Sequence, residues 1–156
     1  MEQENQPQIE LPNIRFDSSK VYVKFSNVHG RGVFAKEPIE AGSYIEIFPL
    51  TPASFRTKYQ GDFNFVHYAF VNSACPCEEC KRHGYLIYIS SGFANMYNHQ
   101  TPPKNNAKFI MDYKNLCGKV EALKIIKKDE EILVDYGPKF SFPDGEIINH
   151  DAPPTN

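Results

Sequence analysis

Three short stretches of the chain carry groups that could bind a ligand and position a reacting atom. Gly30 and Gly32, one residue apart, allow the backbone to approach a ligand closely and offer it N–H and C=O groups. Asn98 has a side-chain donor and acceptor for the amino-acid end of a ligand. Asp135-Tyr136-Gly137-Pro138 follows an apolar run, so Tyr136 either packs or presents its hydroxyl to a substrate.

The glycine stretch, His29-Gly30-Arg31-Gly32-Val33-Phe34-Ala35, is predicted to lie in a loop between two strands. A hairpin turn is the ordinary explanation for a single Gly-x-Gly pair. A dinucleotide-binding loop is excluded, because no third glycine opens a helix and no strand–helix–strand pattern follows.

In this order and spacing the stretches resemble the sequence marks of the SET-domain protein-lysine methyltransferases. The glycine stretch and its continuation to Glu46 are similar to the family's opening. Tyr97-Asn98-His99 with Asn105-Asn106-Ala107 resembles its Asn-His-Ser and Pro-Asn-Ala elements, and residues 130–137 resemble its final strand. The resemblance covers roughly residues 21–142, the whole predicted folded part, and looks closest to small stand-alone viral and bacterial members.

The resemblance implies that S-adenosylmethionine is the cofactor. The residues that would bind it are Gly30, Arg31, Gly32, Asn98 and His99. Asn106 would brace the loop that follows. Two features depart from the family pattern: Gln100 replaces the usual Ser, and Thr101-Pro102-Pro103-Lys104 lengthens the connection.

The resemblance also implies that Tyr136 is the catalytic residue, whose hydroxyl orients a lysine amine and the methyl group. Because a free lysine has a pKa near 10.4, neutralising it at pH 7 costs about 4–5 kcal/mol, which a narrow apolar channel would reduce. The residues expected to line that channel are Tyr68, Tyr97, Tyr113 and Phe140. Phe140 or Phe142 could instead cover the adenine ring.

A separate cysteine-rich stretch could hold a structural zinc ion. Its candidate ligands are Cys75, Cys77, Cys80 and His83, with Cys117 as an alternative to His83. Three thiolates and an imidazole suit tetrahedral zinc, although structural zinc sites more often use two separated pairs. A reduced loop with incidental thiols is the alternative.

Charge and composition limit the classes of partner. The net charge of −2 gives no basic footprint, so direct nucleic-acid binding is not supported, whereas a basic peptide would be tolerated. No apolar run approaches the roughly 18 residues that cross a bilayer, and the polar N-terminus is not a secretory signal. We therefore expect an intracellular protein with reduced cysteines.

The elements that must position these residues are short strands. Alternation or β-branched and aromatic enrichment predicts strands at 21–25, 44–48, 63–71, 85–89, 109–113, 119–126 and 132–134. Short helical turns are predicted at 92–98 and 52–59. We expect a mainly β SET fold of several small sheets, with a threaded, knot-like C-terminal strand implied by the resemblance. Residues 1–12 and 143–156 are predicted arms flanking one domain, 13–142.

The leading hypothesis is a protein-lysine N-methyltransferase that uses S-adenosylmethionine and acts on a protein or peptide, histone or other. Two alternatives stay open: a catalytically silent SET-like module that binds peptide or cofactor, and a small zinc-stabilised interaction protein. The presence of both Tyr136 and Asn98 favours the enzyme. A homodimer is also open, since small relatives pair.

Overall fold

The computed structural model describes residues 13–54, 70–71, 86–137, 140–141 and 148–149. In these ranges the regular structure is strand, apart from a 3₁₀ turn at Ala94–Met96. The strands are β1 (Val21–Phe25), β2 (Arg31–Ala35), β3 (Tyr44–Ser54), β4 (Phe70–Val71), β5 (Leu86–Ser90), β6 (Asn98–His99), β7 (Ala107–Asp112), β8 (Cys117–Ala122), β9 (Leu133–Val134), β10 (Phe140–Ser141) and β11 (Ile148–Asn149).

Seven of these strands form one sheet in the order β4-β5-β3-β8-β7-β9-β6, and β1-β2 and β10-β11 are separate hairpins. The long strand β3 joins the halves of the sheet, because its first part pairs with β8 and its last part pairs with β5. A register shift between Tyr44 and Glu46 interrupts the pairing with β8. The prediction of a mainly β protein is confirmed.

The predicted loop at residues 29–35 is wrong for most of its length. Residues 31–35 form β2, which pairs with β1 from Val21↔Ala35 to Phe25↔Arg31. The second edge of β2 pairs with the segment before β9, where the Ile132 N–H donates to Val33 O at 2.8 Å. The consecutive residues Val33, Phe34 and Ala35 are all buried, so both faces of the strand are covered. A strand covered on both sides loses its alternation, which is why the sequence pattern did not reveal it.

The threaded C-terminal strand is confirmed. β9 lies between β6 and β7 and runs parallel to both, with Asn98↔Leu133 on one side and Ala107↔Val134 on the other. Residues 100–106 must therefore cross from one side of β9 to the other. This threading brings the residues after Val134 next to the Asn98-His99 pair, although 35 positions separate His99 from Val134 in sequence.

The hydrophobic core lies between the β1-β2 hairpin and the large sheet. Its fully buried members include Val33, Phe48, Val120 and Ile132. Gly118 has no room for a side chain, since a Cβ there would lie 2.3 Å from the Phe48 ring. The core therefore holds both the β1-β2 hairpin, which contains Gly30 and Gly32, and the sheet that contains β6 and β9.

The strands predicted at 85–89, 109–113, 119–126 and 132–134 are found with shifted ends. Of the strand predicted at 63–71, residues 70–71 form β4, and residues 63–69 lie outside the described part. The strand predicted at 44–48 continues to Ser54, so the helical turn predicted at 52–59 is wrong for residues 52–54; residues 55–59 lie outside the described part. The turn predicted at 92–98 is the 3₁₀ turn. In the described ranges no helix has the length and apolar character needed to span a bilayer.

Candidate active site

The glycine loop, residues 30–32, lies where the turn of the β1-β2 hairpin meets β2. The turn is closed by a hydrogen bond in which the Ser26 N–H donates to Gly30 O at 2.8 Å. Gly30 has φ +47°, in the left-handed region, and no atom of the described residues beyond its chain neighbours lies within 4 Å of the position that a Cβ would take. The loop backbone is therefore open on the side of Gly30.

Gly32, in contrast, is closed by the carboxylate of Glu131. A Cβ at Gly32 would lie 2.1 Å from Glu131 Oε1. The same carboxylate accepts hydrogen bonds from Ser26 Oγ at 2.7 and 2.8 Å and from Asn98 Nδ2 at 2.9 Å. Glu131 thus ties the glycine loop to the segment that precedes β9 and to β6.

The amide group of Asn98 holds the glycine loop from the other side. Its Nδ2 donates to His29 O at 2.9 Å and to Arg31 O at 3.2 Å, as well as to Glu131. The side chain is buried, so these contacts are shielded from water. Its described contacts position the loop, and its direct contact with a cofactor stays a prediction.

His99 holds the backbone of Tyr136. The Tyr136 N–H donates to His99 Nδ1 at 2.9 Å, and the two rings lie 5.1 Å apart. Burial lowers the pKa of His99 below its ordinary 6.5, and it outweighs the opposing effects of Asp135, whose Oδ1 lies 3.8 Å from Nδ1, and of a backbone hydrogen bond with Val134. The imidazole is therefore neutral near pH 7, as an accepting Nδ1 requires.

The Tyr136 hydroxyl donates a hydrogen bond to the backbone carbonyl of Tyr97. Tyr136 is 38% exposed, so part of the residue faces solvent while its hydroxyl contacts the backbone just before β6. The same threading that places β9 beside β6 therefore brings the predicted catalytic residue against the residue that precedes Asn98.

Asn106 holds the segment that leads into the final strand, β9; the bracing of its own loop, which the family resemblance implies, stays a prediction. Its Nδ2 donates to Glu131 O at 2.8 Å, and its Oδ1 accepts the Leu133 N–H at 2.8 Å. This buried side chain acts as a strand partner for residues 131–133, at the place where the connection after β6 crosses them. Gln100 does not disturb the crossing, because its N–H donates to Val134 O at 2.9 Å.

Two of the predicted channel residues can be placed. Tyr97 is fully buried, and its hydroxyl donates to Glu46 Oε2 at 2.6 Å. Burial, and secondarily the Glu46 carboxylate, raise the pKa of Tyr97 well above its ordinary value of 10.0. Tyr113 is half-buried at the end of β7, with its ring 4.5 Å from that of Tyr88, and burial raises its pKa. Their contact with a substrate stays a prediction.

Several predicted site residues lie outside the described part of the chain: Tyr68, Cys75, Cys77, Cys80 and His83. Phe140 lies in β10, but its side chain is likewise outside. Cys117 is buried in β8, where burial raises the pKa of its thiol and so disfavours the thiolate that binds zinc. The zinc hypothesis for the cysteine-rich stretch stays a prediction.

The sequence analysis missed two acidic residues that organise the site, Glu131 and Glu46. Glu46 lies between Ile45 and Ile47 within a predicted strand, whereas Glu131 ends a charged run and precedes Ile132. A carboxylate in the middle of an apolar strand was the available signal, because such a residue is rarely buried unless other groups satisfy it.

Comparison with known proteins identifies the family. The SET domain matches residues 30–137, a range that includes the glycine loop, the Asn98-His99 pair and Tyr136. A relative from Schizosaccharomyces pombe, named histone-lysine N-methyltransferase, H3 lysine-37 specific, is 31% identical over 134 residues, which are 86% of this chain and 82% of the relative. The chain belongs to the SET-domain family of protein-lysine methyltransferases.

Solved structures agree with this assignment. A protein of Plasmodium falciparum described as a proposed histone methyltransferase is 28% identical, with a TM-score of 0.56 over 76% of this chain and 94% of that chain. The ATXR5 SET domain, solved in complex with a methylated histone H3, is 18% identical, with a TM-score of 0.57 over 76% of this chain and 58% of that chain. At 18% identity the second similarity shows the fold alone.

Proposed function

We propose that the protein transfers a methyl group from S-adenosylmethionine to the ε-amine of a lysine in a protein substrate. The observation that carries the proposal is one connected set of hydrogen bonds through the three sequence marks. Tyr136 forms hydrogen bonds with Tyr97 and His99. Asn98, which lies between those two residues in sequence, forms hydrogen bonds with backbone carbonyls at the glycine loop. A cofactor bound at the glycine loop would therefore lie close to the Tyr136 hydroxyl, because Asn98 contacts the loop and its neighbour Tyr97 contacts that hydroxyl.

The open side of the glycine loop fits S-adenosylmethionine, which when bound would supply a methyl group on a positively charged sulfur. Among the described residues, nothing beyond the chain neighbours lies within 4 Å of the position of a Cβ at Gly30, which leaves room for a ligand against its backbone. Arg31 is exposed, and its guanidinium suits a carboxylate. We assign the cofactor to Gly30, Arg31 and Gly32 together with Asn98 and His99.

The role proposed for Tyr136 follows from its hydroxyl proton. Because that proton is donated to Tyr97 O, the hydroxyl acts toward other groups as a hydrogen-bond acceptor. It can accept an N–H of the lysine amine and weak C–H donors of the methyl group, which would align nitrogen and carbon for attack. The lysine must first lose its proton, at a cost of about 4–5 kcal/mol in water at pH 7, and apolar surroundings would reduce that cost.

We further propose a histone substrate, with histone H3 as the first candidate. The name of the Schizosaccharomyces pombe relative supports H3, and the net charge of −2 tolerates a basic peptide. A histone substrate would also place the protein in the nucleus of its host.

Cofactor binding is tested with S-adenosylhomocysteine, the expected product. If only the folded state binds, ligand at a hundred times its dissociation constant should stabilise by about 2.7 kcal/mol, which corresponds to a rise in Tm of roughly 5–10 °C. Tyr136→Phe should show the same rise, because the cofactor is assigned to other residues. An unchanged Tm at millimolar ligand, with no heat in titration calorimetry, would refute the proposal.

A further inference from the structure

Glu46 is a buried carboxylate that the proposed reaction does not use. It lies on β3 with 1% of its surface exposed. Its Oε1 accepts hydrogen bonds from Ser18 Oγ at 2.7 Å and from the Phe93 N–H at 2.8 Å, and its Oε2 accepts one from Tyr97 Oη at 2.6 Å. In the described ranges the ion pairs do not include Glu46. A buried charge is costly, and here three hydrogen-bond donors offset that cost.

The carboxylate holds both ends of the 3₁₀ turn that precedes β6. Phe93 and Tyr97 flank the turn, Ala94–Met96, on its two sides. Gly92, just before it, has φ +78°, and a Cβ there would lie 2.4 Å from Glu46 Oε1, so the chain passes close against the carboxylate. Glu46 therefore fixes the turn to β3 at two points.

Tyr97 connects Glu46 with the predicted catalytic residue. Its side chain is held by Glu46 through the hydroxyl, and its backbone carbonyl accepts the hydroxyl of Tyr136. Both contacts belong to one residue, so the bond to Glu46 restrains the residue whose carbonyl accepts the Tyr136 hydroxyl. Because burial and Glu46 keep the pKa of Tyr97 well above 10.0, the Tyr97 hydroxyl stays protonated through the pH range of an assay. It therefore keeps its hydrogen bond with Glu46.

We propose that Glu46 is a positioning residue for the Tyr136 hydroxyl, acting through Tyr97. The inference rests on the proposed methyltransferase function and extends it to a buried residue outside the assigned cofactor and channel residues. An acceptor-only carboxylate fixes the direction of the Tyr97 O–H. Glutamine at this position could both donate and accept, so the Tyr97 hydroxyl would no longer have a single arrangement.

The decisive experiment is a double-mutant cycle between Glu46→Gln and Tyr136→Phe, measured as kcat with saturating S-adenosylmethionine and protein substrate. Glu46→Gln should lower kcat by about tenfold, since small misplacements of reacting groups cost one to two orders of magnitude. In the Tyr136→Phe background, which has no hydroxyl to position, Glu46→Gln should have no further effect. An equal loss in both backgrounds would overturn the inference.

Two matched variants separate positioning from stability. Ser18→Ala removes another donor from the same carboxylate but leaves the Tyr97 contact, so its kcat should equal the parent's. Tyr97→Phe removes the hydroxyl that Glu46 holds, so it should reproduce the kcat of Glu46→Gln, and combining the two should cost no more than either alone. A parent-like kcat for Tyr97→Phe would contradict the inference.

A readout independent of turnover keeps this inference distinct from the proposed function. With carbon-13 at tyrosine Cζ, the Tyr136 resonance is assigned by its loss in Tyr136→Phe. Glu46→Gln should move that resonance, and Ser18→Ala should leave it in place. If the parent protein does not methylate, the proposed function fails, while the resonance still decides whether Glu46 positions Tyr136. A resonance unmoved by Glu46→Gln overturns the inference.

Discussion

Replacing Gly32 by alanine tests the arrangement of the glycine loop through a single added carbon. The new Cβ would lie 2.1 Å from Glu131 Oε1 and 2.9 Å from Glu131 Cδ. Because the obstacle is the end of a flexible side chain, the carboxylate can move away. It can do so only by giving up its hydrogen bonds with Ser26 Oγ and Asn98 Nδ2.

The size of the effect follows from those bonds. Each hydrogen bond to a charged group contributes about 1.5–3 kcal/mol, and a half-buried carboxylate recovers part of that from water. Reduced freedom of the unfolded chain returns about 0.4–1 kcal/mol. We therefore expect Gly32→Ala to lower the free energy of unfolding by roughly 2–4 kcal/mol. Gly30→Ala is the matched control: its Cβ meets nothing within 4 Å, and its φ of +47° should cost only about 1 kcal/mol.

Urea unfolding of the two variants and the parent measures the difference as a shift in midpoint at constant slope. Calorimetry with S-adenosylhomocysteine should also show weaker binding for Gly32→Ala, because Asn98 and Ser26 lose their shared partner. In a Glu131→Ala background, Gly32→Ala should cost little more, since the obstructing carboxylate is gone. A Gly32→Ala protein as stable as Gly30→Ala would refute the role given to Glu131.

Three further predictions follow from other contacts. Asn106→Ala should destabilise by roughly 2–4 kcal/mol in urea unfolding, because it removes the partner of the half-buried Glu131 carbonyl and Leu133 N–H; a cost below about 1 kcal/mol would contradict its bracing role. The pKa of His99 is lower in the folded state than its ordinary 6.5, so the unfolded state binds the proton first as pH falls. Stability should therefore fall as pH drops below about 6.5, and His99→Gln should lose this contribution. An unchanged pH profile of stability in that variant would contradict the prediction. Purification without chelator should yield about one zinc per chain, released by acid; metal analysis without zinc, together with freely reactive thiols, would instead favour a reduced loop. The candidate ligands are Cys75, Cys77, Cys80 and His83.

Local patterns predicted the elements that have one buried face, and missed those that are covered on both. The alternation at 21–25 predicted β1 with its observed ends. Residues 31–35 looked like loop because two glycines open them and an unbroken apolar run follows, whereas contacts with β1 and with residues 129–132 make them a strand. The threading of β9 depends on parallel pairing with strands far away in sequence, so only the family resemblance could predict it.

The candidate site was predicted as a set of residue types, but its connections were not. The family resemblance singled out Asn98, His99 and Tyr136, and the structure brings them together through hydrogen bonds. The roles of Glu46 and Glu131 were not predicted, because acidic residues are usually exposed. Only the three-dimensional neighbours show the donors that bond the buried Glu46 and the half-buried Glu131.

The most direct test of the central claim is methyl transfer to histone H3, with isotopically labelled S-adenosylmethionine and mass spectrometry of the modified peptide. The account predicts label on a lysine side chain, and a rate at least roughly a hundredfold lower for Tyr136→Phe at equal S-adenosylhomocysteine affinity. That variant loses only one hydroxyl, so its stability should change by less than about 1.5 kcal/mol. Labelling by Tyr136→Phe at the parent rate would contradict the mechanism. If no lysine carries label, either in H3 or in the proteins of a cell extract, the proposed activity is contradicted.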